Sequence, residues 1–269
     1  LHLLGCDVHV AEDGRGALEA LAAASYDIVL MDCNMPVMDG FEAATELRRR
    51  ERAAGAAQAP LVHVDAAQAA LWCNCAPGAL GADLVSLDAA KVGGLLGSGV
   101  LLGYAPVVPV QTGGGQERGR RSGTEALCAV VGAGIALPAA QEEWRSRADA
   151  VRTVRDAAIA ALPEHLPGAV LNGPVGVDRV ANNINISIPS LDTEYAVVVL
   201  DAHGFAVSTK SACAGAGGGA SAVVATVTGD AARARSTLRF TIGPDTTVES
   251  VCAAFSILAA QAKLPPDAG

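Results

Sequence analysis

The sequence predicts an α/β fold, with a parallel or mixed sheet in its first half and a smaller α+β region after it. Strand-like and helix-like segments alternate from the start of the chain, the order that builds parallel sheets. Short, largely apolar runs, such as residues 26–31, mark strands buried on both faces. Acidic residues stand where two of these runs end, the edge at which such sheets carry their functional groups. With 269 residues there is material for one large domain or two modest ones.

In chain order, residues 8–11 read as a short apolar strand stopped by Asp13-Gly14. Residues 17–24 are good helix formers, 26–31 a buried strand, and 41–52 a helix charged on one side. The string LVHVDAAQ from residue 61 is a strand ending in Asp65, and ADLVSLDAAKVGG is a second strand followed by Lys91 and glycines. A third strand follows the glycines. Residues 141–162 read as a long helix, 182–188 as an alternating strand, 193–202 as a helix, 205–207 as a strand and 248–260 as the closing helix. The character of the sequence changes near Pro60 with no Ser-, Gly- or Pro-rich tether. Three parts are therefore expected: 1–60, 61–140 and 141–269. The last holds its own helices and strands, and is expected to be the most protease-resistant.

Hydrophobic residues make up 51% and charged residues 17%, against disorder. A net charge of −9 gives no electrostatic reason to bind nucleic acid or an anionic membrane. The longest apolar stretch, 126–140, is shorter than the roughly 20 residues of a spanning helix and is interrupted by Gly and Pro. No basic and then apolar leader opens the sequence. Seven scattered cysteines, an odd number, fit free thiols in a reducing cytosol, so a cytoplasmic location is expected. Cys73 and Cys75 lack a second pair to complete a zinc site, and His63, His165 and His203 show no metal-ligand spacing, so no metal centre is expected.

Several residues carry chemistry by type and placement. Asp32, at a strand end in YDIVLMDCNMPVMDGFEA, could attack a phosphoryl group beside Mg²⁺, or could merely cap the strand. Asp65 could pair with a protonated ring nitrogen or cap its own strand, and the Gln68 amide could donate to a ring oxygen. Lys91 beside a glycine turn can be held against an aldehyde as a Schiff base, its pKa lowered by desolvation. The glycines of GGGQERGRRSGTE, residues 113–125, let backbone approach backbone. Cys213 precedes Gly215, Gly217, Gly218 and Gly219, a mobile setting for a thiolate. Arg239 in STLRFTIG offers a bidentate fork for a carboxylate.

Two resemblances organise these residues. Residues 1–60 resemble a response-regulator receiver domain, a βαβα fragment in which Asp32 matches the phosphoacceptor. The strand bearing its Mg²⁺-holding acidic pair and the later Ser/Thr and Lys strands are not in the sequence. Residues 61–269 resemble the cysteine desulfurases of the class V aminotransferase family, which are fold type I pyridoxal-phosphate enzymes. That resemblance implies an incomplete pyridoxal-phosphate-transferase large domain and a smaller α+β domain. It implies pyridoxal 5'-phosphate held by Asp65, Gln68, Lys91 and Thr124, the last reaching the cofactor of a partner subunit in a homodimer. It further implies Lys91 and Cys213 as the catalytic pair and Arg239 on the substrate carboxylate. The reaction implied moves sulfur from L-cysteine to a cysteine persulfide, releases alanine, and passes sulfur to an acceptor protein in iron–sulfur cluster assembly. The positions where the family has Ser, a small residue and His before its lysine hold Asp88, Ala89 and Ala90. The family's amino-terminal part, with its ring-stacking His, its Asn and its Gly-Thr phosphate loop, has no counterpart here. Three functions follow as expectations: a desulfurase-type enzyme, a receiver switched at Asp32, or an inactive chimera of two partial domains.

Overall fold

The computed structural model describes residues 5–32, 37–54, 60–103, 105–209 and 220–262. These form two compact units that divide between Arg145 and Ser146.

The first unit opens with helix α1 (Gly14–Ala23). Asp13 caps it by accepting from the Gly16 N–H at 2.7 Å. The strand expected at 8–11 does not form: no strand among the described residues pairs with it, and Val10 lies in solvent. Strand β1 (Ile28–Asp32) runs parallel to β2 (Leu61–Asp65), β2 parallel to β3 (Leu84–Asp88), and β3 antiparallel to β4 (Gly99–Gly103). The sheet order is β1-β2-β3-β4. Gly103 lets β4 lie close to β3, since a Cβ there would stand 2.1 Å from the Asp83 carbonyl oxygen.

The sheet crosses the change of sequence character near Pro60. Helix α2 (Gly40–Ala54) follows β1, and five residues of β1 pair in register with five of β2. Arg48 of α2 ties the two stretches together. Its Nε donates to the Gly81 carbonyl at 2.8 Å, its guanidinium is paired with Glu51 and Asp83, and Asp83 in turn accepts from the Val62 N–H at 2.8 Å. Gly40 permits the tight return from β1, because an added Cβ would meet the Asp32 carbonyl oxygen at 2.1 Å.

One face of this sheet holds the core. Met31, Val62, Val64, Val85 and Leu87 pack with Leu18 of α1 and with Ala43, Ala44 and Leu47 of α2. Leu80, in the short helix α3 (Pro77–Leu80), joins the same core. So do Ala133 and Leu137 of α4 (Leu127–His165). Alternation sends the neighbouring side chains to the other face, where Ile28 is 46% exposed, Leu30 53% and Leu101 49%. The run at 26–31, read as buried on both faces, is thus covered on one only. Helix α4 begins fourteen residues before the expected 141. Gly132, Gly134 and Pro138 are weak helix formers, but the burial of Ala133, Leu137 and Ala140 outweighs their propensity.

The second unit is built on an antiparallel sheet, β5-β6-β7 (Val170–Leu171, Asn183–Ser187, Thr237–Thr241). Helices α5 (Thr193–Ala202) and α8 (Val248–Ala262) pack with each other, and Phe255 meets Phe240 edge-on at 5.4 Å between centroids. Each fully buried Leu or Phe, such as Leu200, Phe255 and Leu258, contributes about 1.5–3 kcal/mol. Short helices α6 (Ala222–Thr228) and α7 (Ala231–Arg235) lead into β7. The strand expected at 205–207 is reduced to one bridge, Ser208 to Arg239, next to which the described residues end.

Candidate active site

The candidate residues of the first unit's sheet gather at one edge. Asp32 closes β1, Asp65 closes β2, and register makes them Cα partners. Asp65 also partners Ser86 of β3, and Asp88 closes β3 two residues further on. Asp32, His63, Asp65, Ser86 and Asp88 therefore share the face opposite the buried Val62, Val64, Val85 and Leu87. On that face His63 Nε2 and Ser86 Oγ are hydrogen-bonded at 2.7 Å, tying β2 to β3 just behind the edge.

Asp65 is exposed, and its Oδ1 accepts from the Ala67 N–H at 3.0 Å. This is the local turn that aspartates favour, so the capping role open to it from sequence is in use. Gln68 is exposed on the turn that follows.

Lys91 is exposed on a 3-10 turn, Ala89–Val92. Asp88 caps this turn, its Oδ1 accepting from the Ala90 N–H at 2.9 Å. Gly93, at φ 86°, ends it in a conformation that glycine adopts freely. In the sequence Asp88 stands out only as a departure from a motif; an Asp immediately before a short turn is the signal for this cap.

Thr124 is exposed between a 3-10 turn (Gln116–Gly119) and α4. In that turn Glu117 and Arg118 hold φ of 50° and 59°, a conformation uncommon for residues other than glycine and costly to keep. Arg118, Arg120 and Arg121 are exposed around it.

In the second unit Arg239 sits mid-strand in β7 and is half-buried. Its backbone exchanges hydrogen bonds with Ser208 at 2.7 and 3.1 Å. Its Nε is buried with no hydrogen-bond partner among the described residues, an arrangement that costs free energy unless something fills it. Cys213 lies outside the described residues.

Among the described residues Cys6 and Cys128 are exposed, whereas Cys75 and Cys252 are buried in packing positions. Burial, with Cys73 nearby, pushes the Cys75 thiol up to about 12. Burial and the carboxylates of Glu249 and Glu164 raise that of Cys252, so neither is a ready nucleophile. The Cys73–Cys75 turn is clamped by Gln141, which accepts from the Cys75 N–H at 2.8 Å and donates to the Ala70 and Cys73 carbonyls at 2.6 and 2.9 Å. Among the described residues no three His, Cys, Asp or Glu side chains form a metal-holding group, and no helix is long and apolar enough to cross a membrane.

Comparison with known proteins bears on the family and the fold. Residues 1–68 match the response regulator receiver domain, and residues 41–253 match the class-V aminotransferase family. The cysteine desulfurase IscS of Ehrlichia chaffeensis is 33% identical over 206 residues, 75% of this chain and 50% of that protein. That of Methylococcus capsulatus is 35% identical over 202 residues, 74% of this chain and 49% of that protein. An IscS-like cysteine desulfurase of Mycobacterium tuberculosis is 33% identical over 199 residues, 73% and 51% of the two chains. The chain thus spans about half the length of the curated relatives it matches. A solved NifS-like protein from Rickettsia africae superimposes with a TM-score of 0.72 at 23% identity, covering 93% of this chain and 65% of that one. A second NifS-like structure gives 0.75 at 22% identity, over 94% and 68%. These place the fold among the NifS-like α/β proteins, and the chain belongs to the class-V aminotransferase family.

Proposed function

We propose that the chain carries cysteine desulfurase chemistry, taking sulfur from L-cysteine onto Cys213 and releasing alanine. The observation that carries this is the neighbouring placement of Asp65 and Lys91, at the ends of the adjacent strands β2 and β3. Class V aminotransferases and cysteine desulfurases depend on pyridoxal phosphate. Its ring nitrogen and its aldehyde lie at opposite ends of the ring, and call for a carboxylate and an amine respectively. Asp65 and Lys91 supply those groups, and Gln68 is a donor beside Asp65. The phosphate end does not fit equally well. Asp88 is a carboxylate at the foot of the Lys91 turn, and the Ala90 N–H that could have met an anion is bound to it.

The roles of the remaining residues follow from their chemistry. Arg239 would hold the α-carboxylate of cysteine; its buried Nε, without a partner among the described residues, supports this. Lys91 would hold and return the proton at the α-carbon. The Cys213 thiolate would take the substrate sulfur, so that two thiols become one persulfide and the substrate carbon gains hydrogen as alanine. An acceptor protein would then remove the sulfur, as iron–sulfur cluster assembly requires.

The same reading makes the working form a homodimer, with Thr124 serving the partner's site. Exposed Leu127, Val130, Val131 and Ile135 along the start of α4 support it, since apolar residues grouped on a surface mark interfaces. We place the functional boundaries near 60 and 141, with the receiver-like part serving as scaffold rather than switch.

The test supplies the full chain with L-cysteine and excess pyridoxal phosphate, and in a parallel sample with excess pyridoxal. The expected result is alanine release and a persulfide at Cys213 by mass spectrometry, both lost in Cys213→Ser. Absence of alanine from the unaltered chain in both samples overturns the proposal.

A further inference from the structure

We infer that the carbonyl ligand of Lys91 is an unphosphorylated pyridoxal-type aldehyde, and that the Asp88 carboxylate selects it over the phosphate ester. The inference rests on the proposed role of Lys91 as the amine that meets this aldehyde.

On the pyridine ring the aldehyde stands opposite the nitrogen, and the arm that bears phosphate is attached at the carbon next to the aldehyde. With the nitrogen toward Asp65 and the aldehyde toward Lys91, that arm leaves the ring on the Lys91 side. The protein there is the 3-10 turn Ala89–Val92 and its cap Asp88. A phosphate monoester brings a charge of about −1.5 to −2 near pH 7, and wants backbone N–H groups or cations around it.

This turn offers the reverse. The Asp88 carboxylate takes the Ala90 N–H at 2.9 Å, and the side chains of Ala89 and Ala90 have no donor. The sheet edge beside it carries Asp65 and, one strand further, Asp32. Among the described residues of this edge Lys91 is the cation, and it is committed to the aldehyde. An arm ending in a hydroxyl meets no repulsion and can donate to Asp88, whereas a phosphate brought against a carboxylate is opposed by like charge. Arg118, Arg120 and Arg121 belong to the exposed loop before α4, and the Arg121 Nη1 donates to the Ser122 carbonyl at 2.5 Å.

The experiment incubates the full chain with pyridoxal or with pyridoxal phosphate over a range of concentrations. Lys91 Nζ adds to the aldehyde carbon with loss of water, and borohydride then delivers hydride to the resulting C=N bond, leaving a stable secondary amine. Labelling at Lys91 is read by mass spectrometry as a ratio to Lys210 and Lys263 in the same digest. That ratio removes the intrinsic difference between the reagents, since pyridoxal closes on its own hydroxymethyl group. The expected result is half-labelling of Lys91 at a roughly tenfold lower concentration of pyridoxal than of its phosphate. Asp88→Asn keeps an oxygen to cap the Ala90 N–H and removes the charge, so it is expected to abolish the preference. Equal or better labelling by the phosphate ester in the unaltered chain overturns the inference, as does a preference unchanged in Asp88→Asn. Labelling of Lys91 by neither aldehyde overturns the parent reading instead, and that outcome is distinguishable from the other two.

Discussion

The two units treat their polar side chains in opposite ways. In the first, Asp65, Gln68 and Lys91 stand exposed at a sheet edge, and the sheet face behind them is open to solvent at Ile28, Leu30 and Leu101. In the second, Arg155 is wholly buried and donates to the carbonyls of Arg179, Val180 and Gly176 at 2.6, 2.9 and 2.7 Å. Asn172, joined to it through Arg179, donates to Asn185, Ser187 and Thr237, and accepts from Arg233. Arg179 is held below its usual range, at about 10, first by burial and then by the neighbouring Arg155 charge. Groups kept ready for a ligand are left accessible. Groups that shape a small sheet without much apolar area are buried and almost fully paired.

The largest effect that would break this contrast is expected at Arg155. Arg155→Ala leaves the buried Arg179 carbonyl and the part-buried carbonyls of Val180 and Gly176 without their charged donor, and is expected to cost about 3–5 kcal/mol, each orphaned group carrying its own desolvation penalty. Urea unfolding followed by hydrogen exchange should show the loss in residues 146–262 and leave the first unit protected. A loss under 1 kcal/mol, or one shared equally by both units, would mean that the network does not organise the second unit.

Arg48 is the nearest equivalent in the first unit, and a smaller effect is expected there because its partners are partly solvated. Arg48→Ala removes the ties to Gly81, Glu51 and Asp83 and is expected to cost about 2 kcal/mol. Because those ties cross the change of sequence character near Pro60, the same substitution should make the segment joining α2 to β2 a preferred site of limited proteolysis. If cleavage there is as slow as in the unaltered chain, the joint is held by the β1–β2 pairing alone.

How much of this was legible beforehand differs between the units in the same direction. The first unit's strands at 28–32, 61–65 and 84–88 follow from apolar runs that end in aspartates, and Lys91 from the glycines after it; these are local patterns. The pairing of β1 with β2 was not legible, because the break near Pro60 reads as a change of ancestry, while hydrogen bonding requires only a right-handed connection and an open strand edge. The early start of α4 was hidden for a related reason: Gly132, Gly134 and Pro138 argue against a helix, and only the core they pack beside argues for it. In the second unit β5, α6 and α7 are too short to show a period, and the Arg155–Asn172 network joins residues far apart in sequence. Arg239 is legible by its motif, but the buried Nε that has no partner among the described residues is a property of the packed strand.

The smallest expected effect separates two kinds of acidic support, one in each unit. Glu46 of α2 accepts from Arg49 at 2.6 and 2.8 Å and from Arg50 at 2.9 Å. Those hydrogen bonds, with the two charges, hold its carboxyl at about 2, below the usual 4.5. Asp230 caps α7, and the N–H groups of Arg233 and Ala232 hold its carboxyl below the usual 3.8. Both pKa values are lowered by folding, so both contributions are present above the unfolded value and are lost as pH falls through the folded one. For Glu46 the window is therefore from 4.5 down to about 2. The two differ in their response to salt. Glu46 is supported by exposed guanidinium charges, which molar salt screens, whereas Asp230 is supported by short hydrogen bonds to backbone, which salt touches less. Acid titration followed by exchange of amides in α2 and α7 should thus show molar salt shifting the α2 transition toward its unfolded position and leaving that of α7 in place. Glu46→Gln should remove the α2 transition. If it leaves the α2 profile unaltered, the arginine pairs do not support that helix, and the first unit depends on its single covered sheet face alone.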